Sequence, residues 1–294
     1  MHSRTQLQKA LLYGLFVCVI GVLAYHENRS APYAAVTSEI LEISQPENPV
    51  TATAWGIFDP ETGKIITSQN ADTILPIASL TKLFTAAVVM ESSGRDDAFR
   101  VVVSDVATEG RSGSLTIGDE VTLYTLLFPL LIESSNDAAA AIERRLGADA
   151  YAQSVARMRN TLELSSTTIT EASGLDPKNV STVQDLISLF MYVKRAYPHL
   201  LDISQLPVFV GANATYHNND PAREFTSFRG GKHGYTIEAG RTFVGMFSVP
   251  DSDASIGLVL LDSSDIRSDI SALLSHGEAF ISSGILVNTT SHTP

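Results

Sequence analysis

The strand-forming segments of this chain lie at its two ends and the helix-forming segments lie between them, which restricts how a sheet can be built. Residues 51–58 alternate and carry β-formers, Asp59-Pro60-Glu61-Thr62-Gly63 reads as a turn, and residues 64–68 return, the pattern of a hairpin. Further strands are expected only near the other end, at 235–238, 242–249 and 255–261. In between, residues from about 79 to 91 place Leu83, Phe84, Ala87 and Val88 at helical spacing, and a mainly helical block runs over 123–197. Breaks in that block fall at Gly147, at Ser173-Gly174-Leu175-Asp176-Pro177 and at Pro198, and residues 266–281 read as a closing helix. The two ends are therefore expected to meet in one antiparallel sheet, with the helical lobe inserted between its halves. The expected class is α+β, in three α/β/α layers.

At 294 residues the chain can form one large domain or two small ones, and 44% hydrophobic with 18% charged residues fits a globular core. The 20 Lys+Arg against 32 Asp+Glu leave a net charge of −12, which argues against nucleic acid as a partner and favours solubility. Arg4 and Lys9 precede an uncharged apolar run over 10–25. That is near the upper length of a signal segment and slightly short of the roughly 17–25 residues of a spanning helix. The basic flank is N-terminal, so the positive-inside rule puts everything after Tyr25 outside the cytoplasm. Residues 1–29 read as an export signal or membrane anchor; Val22-Leu23-Ala24 is an imperfect cleavage site, which favours the uncleaved anchor. Cys18, the single cysteine, lies in this run and permits no intramolecular disulfide. Residues 30–49, rich in Ser, Pro and Glu, read as a linker, 50–284 as the folded domain, and 285–294 as a tail with a frayed polar end.

Chemistry concentrates first in Pro76-Ile77-Ala78-Ser79-Leu80-Thr81-Lys82, where a hydroxyl and an amine stand three residues apart at the start of an apolar helix. Positions i and i+3 share a helical face, so the Lys82 amine can reach Ser79. A serine becomes a good nucleophile when a neighbouring base takes its proton, and a desolvated, neutral amine can be that base. Ser134-Ser135-Asn136 sits between an apolar run and an Ala-rich helix, and Lys232-His233-Gly234 opens the strand expected at 235. Each alone has an ordinary explanation: Ser79, Ser134 or Asn136 as helix caps, Lys82 and Lys232 as solvated side chains. Their order along the chain is what adds weight.

Taken together, the three motifs resemble those of the penicillin-binding serine D-alanyl-D-alanine carboxypeptidases of the low-molecular-mass type. The resemblance runs from about Thr53 to Leu261 and includes Glu133-Ser134-Ser135-Asn136-Asp137, Glu171-Ala172-Ser173-Gly174-Leu175-Asp176 and Lys232-His233-Gly234-Tyr235-Thr236 with Ala239-Gly240. It implies a β-lactamase/transpeptidase-like fold, peptidoglycan stem peptides as substrate and β-lactams as covalent inhibitors. By the same resemblance Ser79 is acylated, Lys82 is the general base and Ser134 relays a proton. Asn136 holds the substrate amide or orients Lys82, and Lys232 supplies positive potential. The amides of Ser79 and Tyr235 form the oxyanion hole, and His233, Gly234, Tyr235 and Thr236 line the substrate.

Two departures from the family pattern stand out. His233 replaces the usual threonine, whose hydroxyl helps bind the terminal carboxylate; a protonated imidazole can donate that bond more strongly, so tighter substrate capture is expected below about pH 6.5. Many relatives add a β-rich domain and a membrane-associating helix after the catalytic domain; this chain stops before both, so its membrane partner is expected to be reached through the N-terminal segment. No metal is expected, since the seven histidines show no ligand spacing, and no cofactor, since no Gly-rich phosphate loop follows a strand. A β-lactamase is disfavoured because neither Glu163 nor Glu171 carries the pattern of a water-activating glutamate. A DD-endopeptidase and a non-catalytic muropeptide-binding relative remain as alternatives.

Overall fold

The structure, a computed structural model, describes residues 46, 49–107 and 113–282. The expected anchor over 1–29, nearly all of the linker 30–49 and the tail 285–294 lie outside the described residues. From the N-terminal side come β1 (Ala54–Phe58), β2 (Ile65–Gln69), β3 (Leu75–Pro76), a 3-10 turn (Ala78–Leu80) and α1 (Thr81–Glu91). The middle carries β4 (Phe99–Arg100), α2 (Val103–Val106), β5 (Glu120–Val121), α3 (Leu127–Ile132), α4 (Asn136–Leu146), α5 (Ala148–Thr161) and β6 (Val180–Ser181). Then follow α6 (Val183–Ala196), α7 (Pro198–Gln205), β7 (Val208–Val210), β8 (Thr215–His217) and a second 3-10 turn (Pro221–Glu224). The C-terminal part holds β9 (Phe228–Thr236), β10 (Gly240–Ser248), β11 (Ser255–Ser263) and α8 (Ile266–Ser282).

The main sheet has five strands in the order β2-β1-β11-β10-β9, and every pairing in it is antiparallel. The two ends of the chain meet where β1 pairs with β11, with Ala54 opposite Leu261 and Phe58 opposite Gly257. Side chains alternate across a strand, and the sequence uses that alternation to feed two cores. Trp55 and Ile57 of β1, Phe243 and Phe247 of β10, and Leu258 and Leu260 of β11 face α8, meeting its Ile270 and Leu273. Ala54, Phe58, Val244, Val259 and Leu261 face the other way, into the helical lobe. Each fully buried aliphatic side chain at these positions contributes about 1.5–3 kcal/mol. Helix, sheet and helix thus stack in the three layers expected.

Helix α1 runs through the middle of the lobe, and every residue from Thr81 to Val89 is buried. A helix that is apolar all round must be enclosed, and here α3, α4, α5 and α6 pack around it. That enclosure is what removes Lys82 from water.

Three details differ from the sequence expectation. The helix expected from about residue 79 begins as a 3-10 turn, and the α-helix proper starts at Thr81. The expected break at Pro198 is present, since α6 ends at Ala196, but the helical block does not stop there: Pro198 opens α7, because proline at a first helical position loses no intrahelical hydrogen bond. Strand β9 starts at Phe228, not at Tyr235, which puts Lys232 in mid-strand; pairing of Gly231 with Gly245 and Lys232 with Val244 overrides the weak strand propensity of Gly230-Gly231.

Candidate active site

Ser79 occupies the 3-10 turn ahead of α1, preceded by Ala78 at φ +46°, a left-handed conformation that costs a non-glycine residue roughly 1–2 kcal/mol. The neighbours hold it there. The Ile77 amide donates to Asn179 O at 3.0 Å, and the Ile77 carbonyl accepts from Thr242 Oγ1 at 3.1 Å. One turn on, Lys82 is completely buried, and its Nζ lies 2.9 Å from Ser79 Oγ, 2.8 Å from Asn136 Oδ1 and 2.6 Å from Ser173 O. Burial lowers its pKa well below the ordinary 10.5, repulsion from Lys232 lowers it further, and Glu171 opposes both.

The second motif is a tight corner between α3 and α4. Ser135, not its neighbours, caps α4 by accepting the Ala138 amide at 3.1 Å. That leaves Ser134, at φ +60°, half-buried at the corner, and turns Asn136 inward to Lys82. The corner is fixed from outside as well. Asn219 Nδ2 donates to Glu133 O at 3.1 Å, and the Glu133 carboxylate accepts the Ser114 amide and hydroxyl, each at 2.9 Å.

From β9, the end strand of the sheet, Lys232 reaches the same place. It too is completely buried, and its Nζ donates to Ser134 Oγ at 2.8 Å and to its neighbour's carbonyl, His233 O, at 2.6 Å. Burial pushes its pKa down to about 8 against the pull of Asp220, so it remains mainly charged at neutral pH. Gly234 follows on the same face. A Cβ there would stand 2.7 Å from the Ser79 amide nitrogen, so only glycine lets β9 approach the Ser79 turn this closely.

Ser79, Lys82, Ser134, Asn136, Lys232 and Gly234 therefore converge on one spot. His233 and Tyr235 alternate to the opposite face of β9. His233 lines a pocket of about 180 Å³ with Asn219, Arg241 and Arg267, and its Nδ1 lies 3.3 Å from Asp220 Oδ2 with its side chain 20% exposed. Burial and Lys232 lower the His233 pKa below the usual 6.5, outweighing Asp220. Tyr235 is exposed under the Arg241 guanidinium, 5.4 Å from the ring centroid, and Thr236 Oγ1 accepts the Ala239 amide at 3.1 Å to close the β9–β10 hairpin. Sequence reasoning missed the Ser173 carbonyl and the Thr242 hydroxyl, because nothing in a residue's type tells where its backbone or a lone hydroxyl will point. In the sequence Asp220 only ends a polar run, His217-Asn218-Asn219-Asp220, whose composition signals a turn and no more. Among the described residues no three His, Cys, Asp or Glu side chains gather as metal ligands.

Comparison with known proteins identifies a family. The sequence profile of the D-alanyl-D-alanine carboxypeptidase family matches residues 41–264. A D-alanyl-D-alanine endopeptidase of Pseudomonas aeruginosa is 30% identical over 223 residues, covering 70% of this chain and 69% of the relative. The crystal structure of a D-alanyl-D-alanine carboxypeptidase from Mycobacterium tuberculosis superposes with a TM-score of 0.71 at 26% identity, covering 80% of this chain and 96% of that one. Penicillin-binding protein D2 of Listeria monocytogenes, in its cefotaxime-bound form, gives 0.70 at 26% identity over 79% of this chain and 99% of its own. With three-quarters of its length inside the family profile, this chain belongs to the D-alanyl-D-alanine carboxypeptidase family of serine peptidases.

Proposed function

We propose that the chain is a serine D-alanyl-D-alanine carboxypeptidase that removes the terminal D-alanine of peptidoglycan stem peptides through an acyl-enzyme on Ser79. The observation that carries this reading is the set of three partners around Lys82 Nζ. A neutral amine has two N–H donors and one lone pair. Ser173 O and Asn136 Oδ1 only accept, so they take the two N–H groups. The lone pair is left for Ser79, whose hydroxyl donates to it and becomes the nucleophile.

In the reaction that follows, Ser79 Oγ forms a bond to the scissile carbonyl carbon as its proton passes to Lys82 Nζ. The carbonyl oxygen takes the negative charge and is met by the amides of Ser79 and Tyr235; one such donor is worth about 10²–10³ in rate. The proton then moves through Ser134 Oγ to the leaving nitrogen, the C–N bond breaks, and D-alanine departs. Lys232, charged and 2.8 Å from Ser134 Oγ, favours a substrate carboxylate beside that relay. Asn136 orients Lys82, and His233 and Thr236 border the cleft strand. Water, deprotonated by Lys82, attacks the ester and returns Ser79. Glu171 is not the base for that water: both its oxygens accept amide hydrogens.

The site suits β-lactams as inhibitors that acylate Ser79, a reading supported by the cefotaxime-bound Listeria protein. Action outside the cytoplasm agrees with the charge pattern of residues 1–29, whose membrane role is part of this proposal. Among the described residues no helix is long and apolar enough to cross a membrane.

The test is to incubate purified protein with a stem pentapeptide ending in D-Ala-D-Ala and with cross-linked muropeptide dimers, and weigh the products. Loss of one D-alanine from the pentapeptide is expected. Cleavage of dimers with an intact pentapeptide would instead support the endopeptidase reading, which the name of the Pseudomonas relative favours. Cleavage of neither would leave a muropeptide-binding protein.

A further inference from the structure

One carboxylate organises the loop between α5 and β6. Glu171 Oε2 accepts the Ser173 amide at 2.5 Å; Oε1 accepts the Gly174 amide at 2.6 Å, Asn179 Nδ2 at 2.8 Å and, more weakly, the Asp176 amide at 3.3 Å. All four donors belong to this one loop, three on Oε1 and one on Oε2. The residues held this way grip the Ser79 turn from both sides. Ser173, fixed through its amide, aims its carbonyl at Lys82 Nζ. Gly174 adopts φ +89° against the backbone just before Ser79, where an added Cβ would lie 1.9 Å from Ala78 O. Asn179 sends its Nδ2 to Thr81 Oγ1 at 3.2 Å and its carbonyl to the Ile77 amide at 3.0 Å.

We propose that Glu171 is a positioning residue for Ser79 acylation: it gathers the loop amides so that the Ser173 carbonyl stays on Lys82 and the amine keeps its lone pair toward Ser79. The inference rests on Lys82 being the base. Its consequence for pH follows from the charges around the two groups. Lys82 is faced by Lys232 and, more distantly, His233 from β9, and by Glu171 from the loop. Glu171 is faced in turn by Glu143 of α4 and Tyr151 of α5, whose hydroxyl pairs with Thr85 at 2.8 Å. Among these, Glu171 is the charge that raises the Lys82 pKa against burial and Lys232. Neutralising it moves deprotonation of Lys82 to lower pH. Glutamine has Glu171's shape but sets an NH₂ where an oxygen accepted amide hydrogens, so it must break the bond to Ser173 or those to Gly174 and Asn179.

The test is the second-order rate of acylation by benzylpenicillin, followed by intact mass from acidic to alkaline pH, in wild type, Glu171→Gln and Glu171→Asp. Glu171→Gln is expected to acylate roughly tenfold or more slowly, with its rising limb at lower pH than wild type. Glu171→Asp keeps the charge but retracts it, so its rate falls while the limb stays at the wild-type pH. A purely structural role would lower the melting temperature and leave the limb of Glu171→Gln in place; that result overturns the inference, as does a rate within about twofold of wild type. Should Glu171→Gln not fold, Glu171→Asp decides alone: acylation at the wild-type rate overturns the inference. If wild type itself takes up no penicillin, the assignment of Ser79 fails first and this inference falls with it.

Discussion

Replacing Lys232 by methionine should stabilise the protein at neutral pH while disabling it. Lys232 is completely buried, and its pKa stands near 8 against an ordinary 10.5. A depression of about 2.5 pH units, at about 1.4 kcal/mol per unit, means that keeping this ammonium charged in the fold costs about 3 kcal/mol below pH 8. The sign is fixed by linkage. Between the folded and unfolded pKa values the unfolded chain binds more protons, so wild-type stability rises as pH climbs from about 8 toward 10.5. Methionine removes the cost but leaves Ser134 Oγ and His233 O without their donor, at about 1 kcal/mol each, and takes away one of the charges that keep Asp220 ionised. The net gain expected at pH 7 is about 1–2 kcal/mol, or a few degrees in Tm at roughly 2–4 °C per kcal/mol. Calorimetry of wild type and Lys232→Met from pH 6 to 10.5 reads this out. The variant's advantage should shrink steadily above pH 8 and vanish or reverse by about pH 10.5. A variant less stable than wild type at pH 7, or a difference that does not change with pH, would refute the reasoning.

Three further outcomes follow from the same geometry. His233 carries a pKa below 6.5, because burial and Lys232 outweigh Asp220, so any tightening of KM by its protonated form is confined to more acidic pH than an isolated imidazole would give; KM profiles of wild type and His233→Thr that coincide from pH 5 to 8 would remove His233 from substrate capture. Gly174→Ala should destabilise by roughly 2–5 kcal/mol, combining the left-handed backbone at φ +89° with a methyl driven onto Ala78 O, and a melt unchanged from wild type would contradict the packing described. Asn136→Asp puts a carboxylate 2.8 Å from Lys82 and favours its charged form, so penicillin acylation should fall at neutral pH and recover as pH rises; a rate profile identical to wild type would separate Asn136 from the base.

Much of this architecture was legible in the residues. The alternation of 51–58 and the strands near the C-terminus announced a sheet closed between the two ends, and β1 pairs with β11 as that requires. The spacing of Ser79 and Lys82 announced their contact, although a 3-10 turn rather than a regular helix delivers it. What stayed hidden depends on tertiary placement. Lys82 and Lys232 look like surface lysines until α1 and β9 are enclosed. The cap of α4 fell to Ser135, a choice that three adjacent polar residues could not reveal. The carbonyl of Ser173 has no side-chain signature, and nothing in the Glu171-Ala172-Ser173-Gly174 motif tells that the carboxylate will gather its own loop's amides. Strand alternation likewise put His233 beside Asp220 on the face opposite Lys232, which depends on a register the motif does not contain.

The central claim is that a buried, neutral Lys82 makes Ser79 a nucleophile. Its most direct test is intact mass and peptide mapping after incubation with benzylpenicillin, in wild type, Ser79→Ala and Lys82→Met. Wild type should gain one adduct, mapped to Ser79, that is lost only slowly, and neither variant should gain any. An adduct forming on Ser79→Ala as readily as on wild type, or at full rate on Lys82→Met, would contradict the account.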